Sequence, residues 1–289
     1  MRLPCDWVGL VVFATCVMLA LAAAPLALGG EDEVAARGSD LTDLVRRAFE
    51  RTFQQPGLRA VELRIERSGK LVSRRAFDVA YRRDGEVART LLRFTAPEYL
   101  RGNALLIIDR GTRTDTWLYQ PEERRPRRVG TAQKGEAFYG SDLSFEDLER
   151  PHWEHWQLAP QGDQVEGGRS CRVVEAIPRT ESQYARLLAW IDRERSGVAR
   201  IDFYHGSSSE PVKRLRVPIA EASEERGYLR FPSMEIEQLG RDARTRADFT
   251  RMAIDPDLAG SVFSAMRLES AGRDLFDLAE RAAGQSPTP

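Results

Sequence analysis

Alternation of apolar and polar side chains with a period of two restricts this chain more than any other feature. Val61, Leu63 and Ile65 alternate with Glu62, Arg64 and Glu66. After a Ser68-Gly69-Lys70 turn, Phe77, Val79 and Tyr81 alternate with Asp78 and Arg82. That period places one set of side chains on each face of a pleated strand. Leu91 to Phe94 and Leu105 to Ile108 read as buried strands, and Trp117-Leu118-Tyr119 as a shorter one. Past residue 160 the rhythm continues in Cys171 to Ile177, Ala185 to Asp192, Ala199 to Tyr204, Val212 to Ile219, Gly227 to Phe231, Met234 to Leu239 and Arg244 to Phe249. Strands follow strands through short turns with no helices between them, which fits antiparallel pairing and not βαβ units. About eleven strands are too many for a small flat sheet, so a mainly β (α+β) fold that curls into a barrel or half-barrel is expected.

Helices enter only at the margins. Ser39 begins one, with Leu41, Leu44, Val45, Ala48, Phe49 and Phe53 at helical spacing and Pro56-Gly57 as its stop. Phe145 to Glu149 and Asp257 to Phe263 read as short helical turns. Leu275, Leu278, Ala279 and Ala282 mark a C-terminal amphipathic helix, followed by a tail from Gly284 expected to be disordered.

The N-terminus has the layout of a secretory signal: Arg2, an apolar run from Trp7 to Leu28, then Glu31-Asp32-Glu33. Cleavage is expected near Ala27-Leu28-Gly29 or after Ala24, and a signal anchor is the rival reading, since the run approaches the ~20 residues that span a bilayer. The chain therefore divides into a signal at 1–29, one domain at 30–268, and a C-terminal helix and tail at 269–289. Cys5 and Cys16 fall in the signal, and the sequence around Cys16 is a poor lipobox. The mature chain keeps Cys171 alone, which reads as a small buried hydrophobe; its stability must come from a core rather than a disulfide.

A formal net charge of −1 gives no basic field, so nucleic acid is not an expected partner. Catalytic signals are poor. His152 and His155 lack further ligands at zinc spacing, so no metal site and no cofactor is expected. Ser207 to Ser209 follow Gly206 in a turn and lack a nucleophile-elbow context. No enzyme is read here.

The informative stretch runs from Leu92 to Leu148. Phe94, Pro97, Gly102 and Leu105 form one block; Trp117, Tyr119, Pro121, Arg127 and Arg128 a second; Phe138, Gly140, Ser141, Asp142, Ser144, Glu146, Asp147 and Leu148 a third. In this order they resemble the outer-membrane lipoprotein-sorting proteins, a LolA-like group of exported bacterial proteins, and the likeness extends over about residues 40 to 268. The resemblance implies an open antiparallel half-barrel with a helical lid over an apolar cavity, LolA/LolB-like. It implies a periplasmic carrier of lipid or lipoprotein acyl chains, serving outer-membrane biogenesis beside an inner-membrane resistance-nodulation-division type exporter. The same fold also serves lipid-sensing regulatory domains of envelope stress signalling, which is the alternative.

Three groups of residues are candidates for that role. Val61, Leu63, Ile65, Phe77, Val79, Tyr81, Leu92, Phe94, Leu105, Ile107, Trp117 and Tyr119 would line the cavity; a filled core needs the same pattern. Arg124, Arg125, Arg127 and Arg128 would meet an anionic head group or a partner, or form a solvated loop. Gly135, Phe138, Gly140 and Asp142 would belong to a mobile segment at the mouth, or to an ordered loop capped by Asp142 and Glu146.

Overall fold

A computed structural model describes residues 30–254, 260–269 and 275–284. The expected signal and the last five residues lie outside these, as does the start of the turn expected at Asp257. Helix α1 (Gly30–Phe53) is followed by β1 (Gly57–Arg67), β2 (Lys70–Asp84), β3 (Val87–Ala96), β4 (Ala104–Asp109), β5 (Thr114–Tyr119) and the two-residue β6 (Arg127–Arg128). A connection built of short 3-10 turns leads to β7 (Trp156–Glu166), β8 (Arg169–Pro178), β9 (Arg186–Asp192), β10 (Val198–Tyr204) and β11 (Lys213–Arg216). A small hairpin, β12 (Ser223–Glu225) and β13 (Tyr228–Arg230), precedes β14 (Ser233–Gln238), β15 (Ala243–Ile254) and helix α2 (Leu275–Gly284). Helix α1 starts at Gly30 rather than at Ser39; no proline stands between the two to break it.

Thirteen strands form one open antiparallel sheet in the order β6-β5-β4-β3-β2-β1-β15-β14-β11-β10-β9-β8-β7. It is the expected open half-barrel, with thirteen strands in place of eleven. The two halves of the chain meet where β1 pairs with β15 along its whole length, Gly57 opposite Ile254 and Arg67 opposite Ala243. The edges, β6 and β7, do not pair with each other. Edge strand β7 is mostly exposed and carries Pro160 beside a break in its register, both of which blunt an edge against unwanted pairing.

The sheet is covered on both faces. On the inner face, side chains from β1 to β5 and from β8 to β11 join one apolar cluster with Val45, Ala48 and Phe49 of α1. Strands from both halves of the sheet can share a cluster only if the sheet curls around it. On the outer face, Leu58, Ala80, Leu91, Leu106 and Ile108 pack against Phe263, Leu268, Leu275 and Phe276. This assigns the C-terminal helix its place: α2 seals the outer face, and the Leu275 amide donates to the buried Asp78 carboxylate at 3.2 Å. Strand β4 is therefore buried at every position, which is why its sequence shows no alternation.

Candidate lipid-binding face and its plug

Antiparallel neighbours that oppose each other directly project to the same face. Val61 opposes Phe77, Phe77 opposes Phe94, and Leu92 opposes Leu105. These residues, with Leu63 and Ile107, fall in the inner cluster, and Val79 packs against it. Ile65 is buried on the same row of β1. The Tyr81 hydroxyl donates to Gln54 Oε1, just past the end of α1, at 3.3 Å; burial pushes that phenol up to about 12. Trp117 and Tyr119 require a correction. Leu106 opposes Trp117 and Ala104 opposes Tyr119, so both aromatic residues lie on the outer face, packed with the α2 cluster. The residue of β5 that faces inward is Leu118, opposite Leu105. Bulk suggested the wrong phase in this strand, because both of its faces are covered.

The inner face is filled. The connection from β6 to β7 runs from one edge of the open sheet to the other and drives Phe138, Leu143 and Phe145 into the inner cluster, with Trp153 against Phe49 at a ring separation of 4.5 Å. Phe138 has no exposed surface and lies 5.6 Å from Phe94, 6.1 Å from Phe77 and 5.7 Å from Phe145, ring to ring. We call residues 135–148 the plug.

Polar bonds fasten the plug to the sheet, and they account for Gly140, Asp142, Ser144, Glu146 and Asp147 of the third sequence block. Gly140 is in the left-handed region, at φ 76°, and its carbonyl accepts from Arg67 Nη2 at 3.1 Å. Asp142 accepts from Arg67 Nη1 at 3.0 Å and from the Thr245 hydroxyl at 2.6 Å, while its amide donates to Thr245 Oγ1 at 3.0 Å. Its carboxylate thus ties the plug to β1 and β15 rather than capping amides. Ser144 and Asp147 cap one another, amide to carboxylate at 2.6 Å and amide to hydroxyl at 3.3 Å. Glu146 accepts from the Ser182 hydroxyl at 2.5 Å and the Gln183 amide at 3.1 Å. Asp147 also accepts from the Tyr184 hydroxyl at 2.7 Å and from Lys213. Burial, reinforced by the Asp147 charge, pushes the Tyr184 phenol far above its ordinary range, so it remains a donor.

Of the expected hinge residues, Phe138 is core and Asp142 is an anchor. Gly135 lies beside the Gln183 side chain. Sequence reasoning gave no role to Arg67, Tyr184, Lys213 and Thr245, which supply the other half of these bonds. Arg67, Lys213 and Thr245 sit in strands and Tyr184 in the connection before β9, all far from the motif, so only the fold reveals the pairing.

The arginine cluster divides in two. Arg128 pairs with Asp115, which Arg110 and Arg113 also reach, and stacks 6.0 Å from the Trp117 ring. Arg127 lies 3.5 Å from Glu123 and donates to Gln133 at 3.4 Å. Arg124 and Arg125 are exposed and make no ion pair among the described residues. Beside this loop is a cavity of about 190 Å³ between the inner side of β5 and the plug, lined by Leu118, Val129, Ala137, Tyr139 and Phe145 and rimmed by Gln120, Arg127, Gln133 and Glu136. A second cavity, of about 260 Å³, lies between the β1–β2 and β14–β15 turns and is lined largely by polar groups, Glu66, Glu237, Asp242 and Arg244 among them. Among the described residues no cluster of three His, Cys, Asp or Glu is arranged to hold a metal ion, and no helix is long and apolar enough to cross a membrane.

Comparison with known proteins agrees with this architecture. A family model described as "Uncharacterized protein" matches residues 86–270. No curated protein matches in sequence. Among solved structures, an outer membrane lipoprotein-sorting protein domain from Vibrio parahaemolyticus superposes with a TM-score of 0.72 at 20% identity, over 80% of this chain and 99% of that one. A DUF1329 family protein from Desulfovibrio piger gives 0.71 at 24% identity, over 80% and 98%. A LolA superfamily protein from Nitrosomonas europaea gives 0.62 at 18% identity, over 78% and 97%.

Proposed function

Since the chain belongs to this family, LolA-like in fold, we propose that it is a carrier that holds the acyl chains of a lipid or lipoprotein on its inner sheet face and passes them between envelope components. The observation that carries this reading is the plug. A sheet face built from Leu63, Leu92, Phe94, Leu105 and Ile107 is covered by a connection that joins no strand of the sheet over residues 135–148 and is held by side-chain bonds. Such a cover can leave without unpairing a strand. An acyl chain that replaces Phe138, Leu143 and Phe145 recovers about 0.8 kcal/mol for each methylene it buries, which offsets the exposure of those side chains. Binding and release then differ little in free energy, as handing a chain from one apolar site to the next requires.

In this reading the signal is cleaved, the protein works in the periplasm, and an inner-membrane exporter of the resistance-nodulation-division type is its donor or acceptor. Arg124 and Arg125, exposed and without ion pairs among the described residues, would meet an anionic head group. The protein carries and does not catalyse. Native mass spectrometry of the mature protein purified from a bacterial periplasm, with organic extraction of what it holds, tests the proposal. A bound acyl species is the expected result. A mass that stays that of the bare chain when lipids are offered would overturn it.

A further inference from the structure

The β1–β2 hairpin reaches past its neighbour in the sheet. Strand β2 pairs with β1 from Lys70 onwards but with β3 only from Ala76, so Lys70 to Arg75 overhang the end of β3. Val72 is the extra residue of a β-bulge there, since Ser73 opposes Ile65 and Leu71 opposes Glu66. Six large apolar side chains are exposed among the described residues, and three of them fall at this corner: Leu71 at 46%, Val72 at 57% and Tyr99, in the β3–β4 connection, at 66%. The Arg75 guanidinium lies 5.7 Å from the Tyr99 ring and links the two segments. An apolar strand end left open to water invites association. The corner is also cationic. Residues 67–75 and 97–101 carry Arg67, Lys70, Arg74, Arg75 and Arg101 against Glu98 alone, in a chain whose formal net charge is −1. The adjoining β14–β15 turn, whose Asp242 carbonyl accepts from the Ser68 amide at 2.8 Å, adds one charge of each sign, Arg241 and Asp242. Arg67 is matched by Asp142, Arg74 by Glu62 and Arg101 by Glu98. Lys70 and Arg75 have no carboxylate partner among the described residues; Arg75 donates to the Ser73 hydroxyl and the Arg74 carbonyl.

We infer that this corner docks on the surface of an anionic phospholipid bilayer, with Leu71, Val72 and Tyr99 entering the interface and Lys70 and Arg75 meeting the phosphates. An apolar tip flanked by unmatched cations has the layering of that interface, where hydrocarbon begins just below a plane of negative charge. A tyrosine suits the same depth, apolar in its ring and polar at its hydroxyl. The inference goes beyond the carrier reading and concerns where a chain would be exchanged. Arg67, opposite Lys70 across the hairpin, is the residue that holds Gly140 and Asp142 of the plug. A docked hairpin therefore sets the anchored side of the plug against the bilayer, the medium that an acyl chain leaves or enters.

Co-sedimentation of the mature protein with vesicles tests this. The wild type should bind vesicles of phosphatidylglycerol, release them as salt is raised, and leave vesicles of phosphatidylcholine unbound. Leu71→Ser/Val72→Ser should weaken the binding about tenfold, and Lys70→Gln/Arg75→Gln about fivefold for each charge removed. Val165→Ser removes a side chain at least as exposed, at 73%, from the opposite end of the sheet and should bind as the wild type does. Lys70, Leu71, Val72 and Val165 are all exposed, so urea midpoints of the variants should stay near that of the wild type. Monomeric palmitoyl lysophosphatidylglycerol, below the concentration at which it forms micelles, reads the carrier site without a bilayer, and the hairpin variants should bind it undiminished. Four results would overturn the docking surface: a wild type that ignores phosphatidylglycerol vesicles, equal binding to phosphatidylcholine, hairpin variants that bind as the wild type does, or a loss shared by Val165→Ser. The carrier reading then stands if the lysolipid binds. Vesicle binding that the hairpin variants lose, in a protein that takes up no lysolipid, would keep the docking surface and overturn the carrier.

Discussion

Lys213 on strand β11 reaches across the inner face to Asp147 in the plug, and both side chains are almost sealed from water, 4% and 5% exposed. The same ammonium meets the Tyr184 hydroxyl and lies 4.8 Å from the Tyr184 ring and 4.7 Å from the Phe203 ring. A buried pair gains little over an apolar substitute, but a single buried charge left alone is expensive. Lys213→Met should therefore cost about 3–5 kcal/mol in urea unfolding. Adding Asp147→Asn, which keeps an acceptor for Tyr184 without the charge, should recover most of that loss. A double variant as unstable as the single one would show that this pair does not fasten the plug.

Acid should loosen the C-terminal half of the sheet through Asp202. Its carboxylate is buried, which alone would raise its pKa, but Arg214 at 2.6 and 2.7 Å and Arg200 at 2.8 Å outweigh burial and hold it below the usual carboxylate range. An unfolded aspartate titrates near 3.9. Because the folded value is lower, the stabilisation is complete above about 3.9 and drains away as pH falls through the folded-state pKa. Urea midpoints followed from pH 7 to pH 2 should fall more steeply for the wild type than for Asp202→Asn. Parallel curves would remove Asp202 from the account of acid unfolding.

The period-two strands were legible in the sequence because each has one face in the core; Val61, Leu63 and Ile65 declare their row unaided. Strand β7 was missed because Gln161, Gly162, Asp163 and Gln164 lie on an edge and bury no face. The phase of β5 was misread because Leu118 and its neighbours Trp117 and Tyr119 are apolar on both sides, and alternation carries no sign when both faces are covered. The third block was legible as a pattern and not as a mechanism. Gly140, Asp142, Glu146 and Asp147 stand together in the chain, but Arg67, Ser182, Lys213 and Thr245 are brought to them by the curl of the sheet.

Gly197 marks where α1 and the β12–β13 hairpin close on the sheet. A Cβ there would stand 2.2 Å from Leu229 Cδ1, 3.2 Å from Thr52 Oγ1 and 3.3 Å from Ile219 Cδ1. All three residues are buried, and the Thr52 hydroxyl bridges the Ala48 carbonyl of α1 and the Val198 amide of β10, so the neighbours have little room to give. Gly197→Ala should destabilise by about 1–3 kcal/mol, the usual cost of overpacking. Gly130→Ala, where a Cβ meets nothing within 4 Å, should stay within about 0.5 kcal/mol of wild type. Thermal unfolding of the two variants side by side decides it, and equal midpoints would refute the tight approach.

Phe138 separates a plug that competes with ligand from one that merely completes the core. Its ring is fully buried among Phe77, Phe94, Tyr139 and Phe145, so Phe138→Ala should cost about 3–5 kcal/mol of stability in either case. If an acyl chain takes the place of that ring on the inner face, the variant no longer spends binding energy on expelling it, and affinity for a palmitoyl lipid should rise about tenfold. Leu106→Ala removes a buried side chain from the opposite, α2-covered face and should lower stability without changing affinity. Titration of a palmitoyl lysophospholipid into the three proteins separates the cases. Tighter binding by Phe138→Ala alone is the signature of a displaced plug, because general loosening would act alike in both variants. Affinity unchanged or weakened in Phe138→Ala would place the acyl chain elsewhere than under the plug.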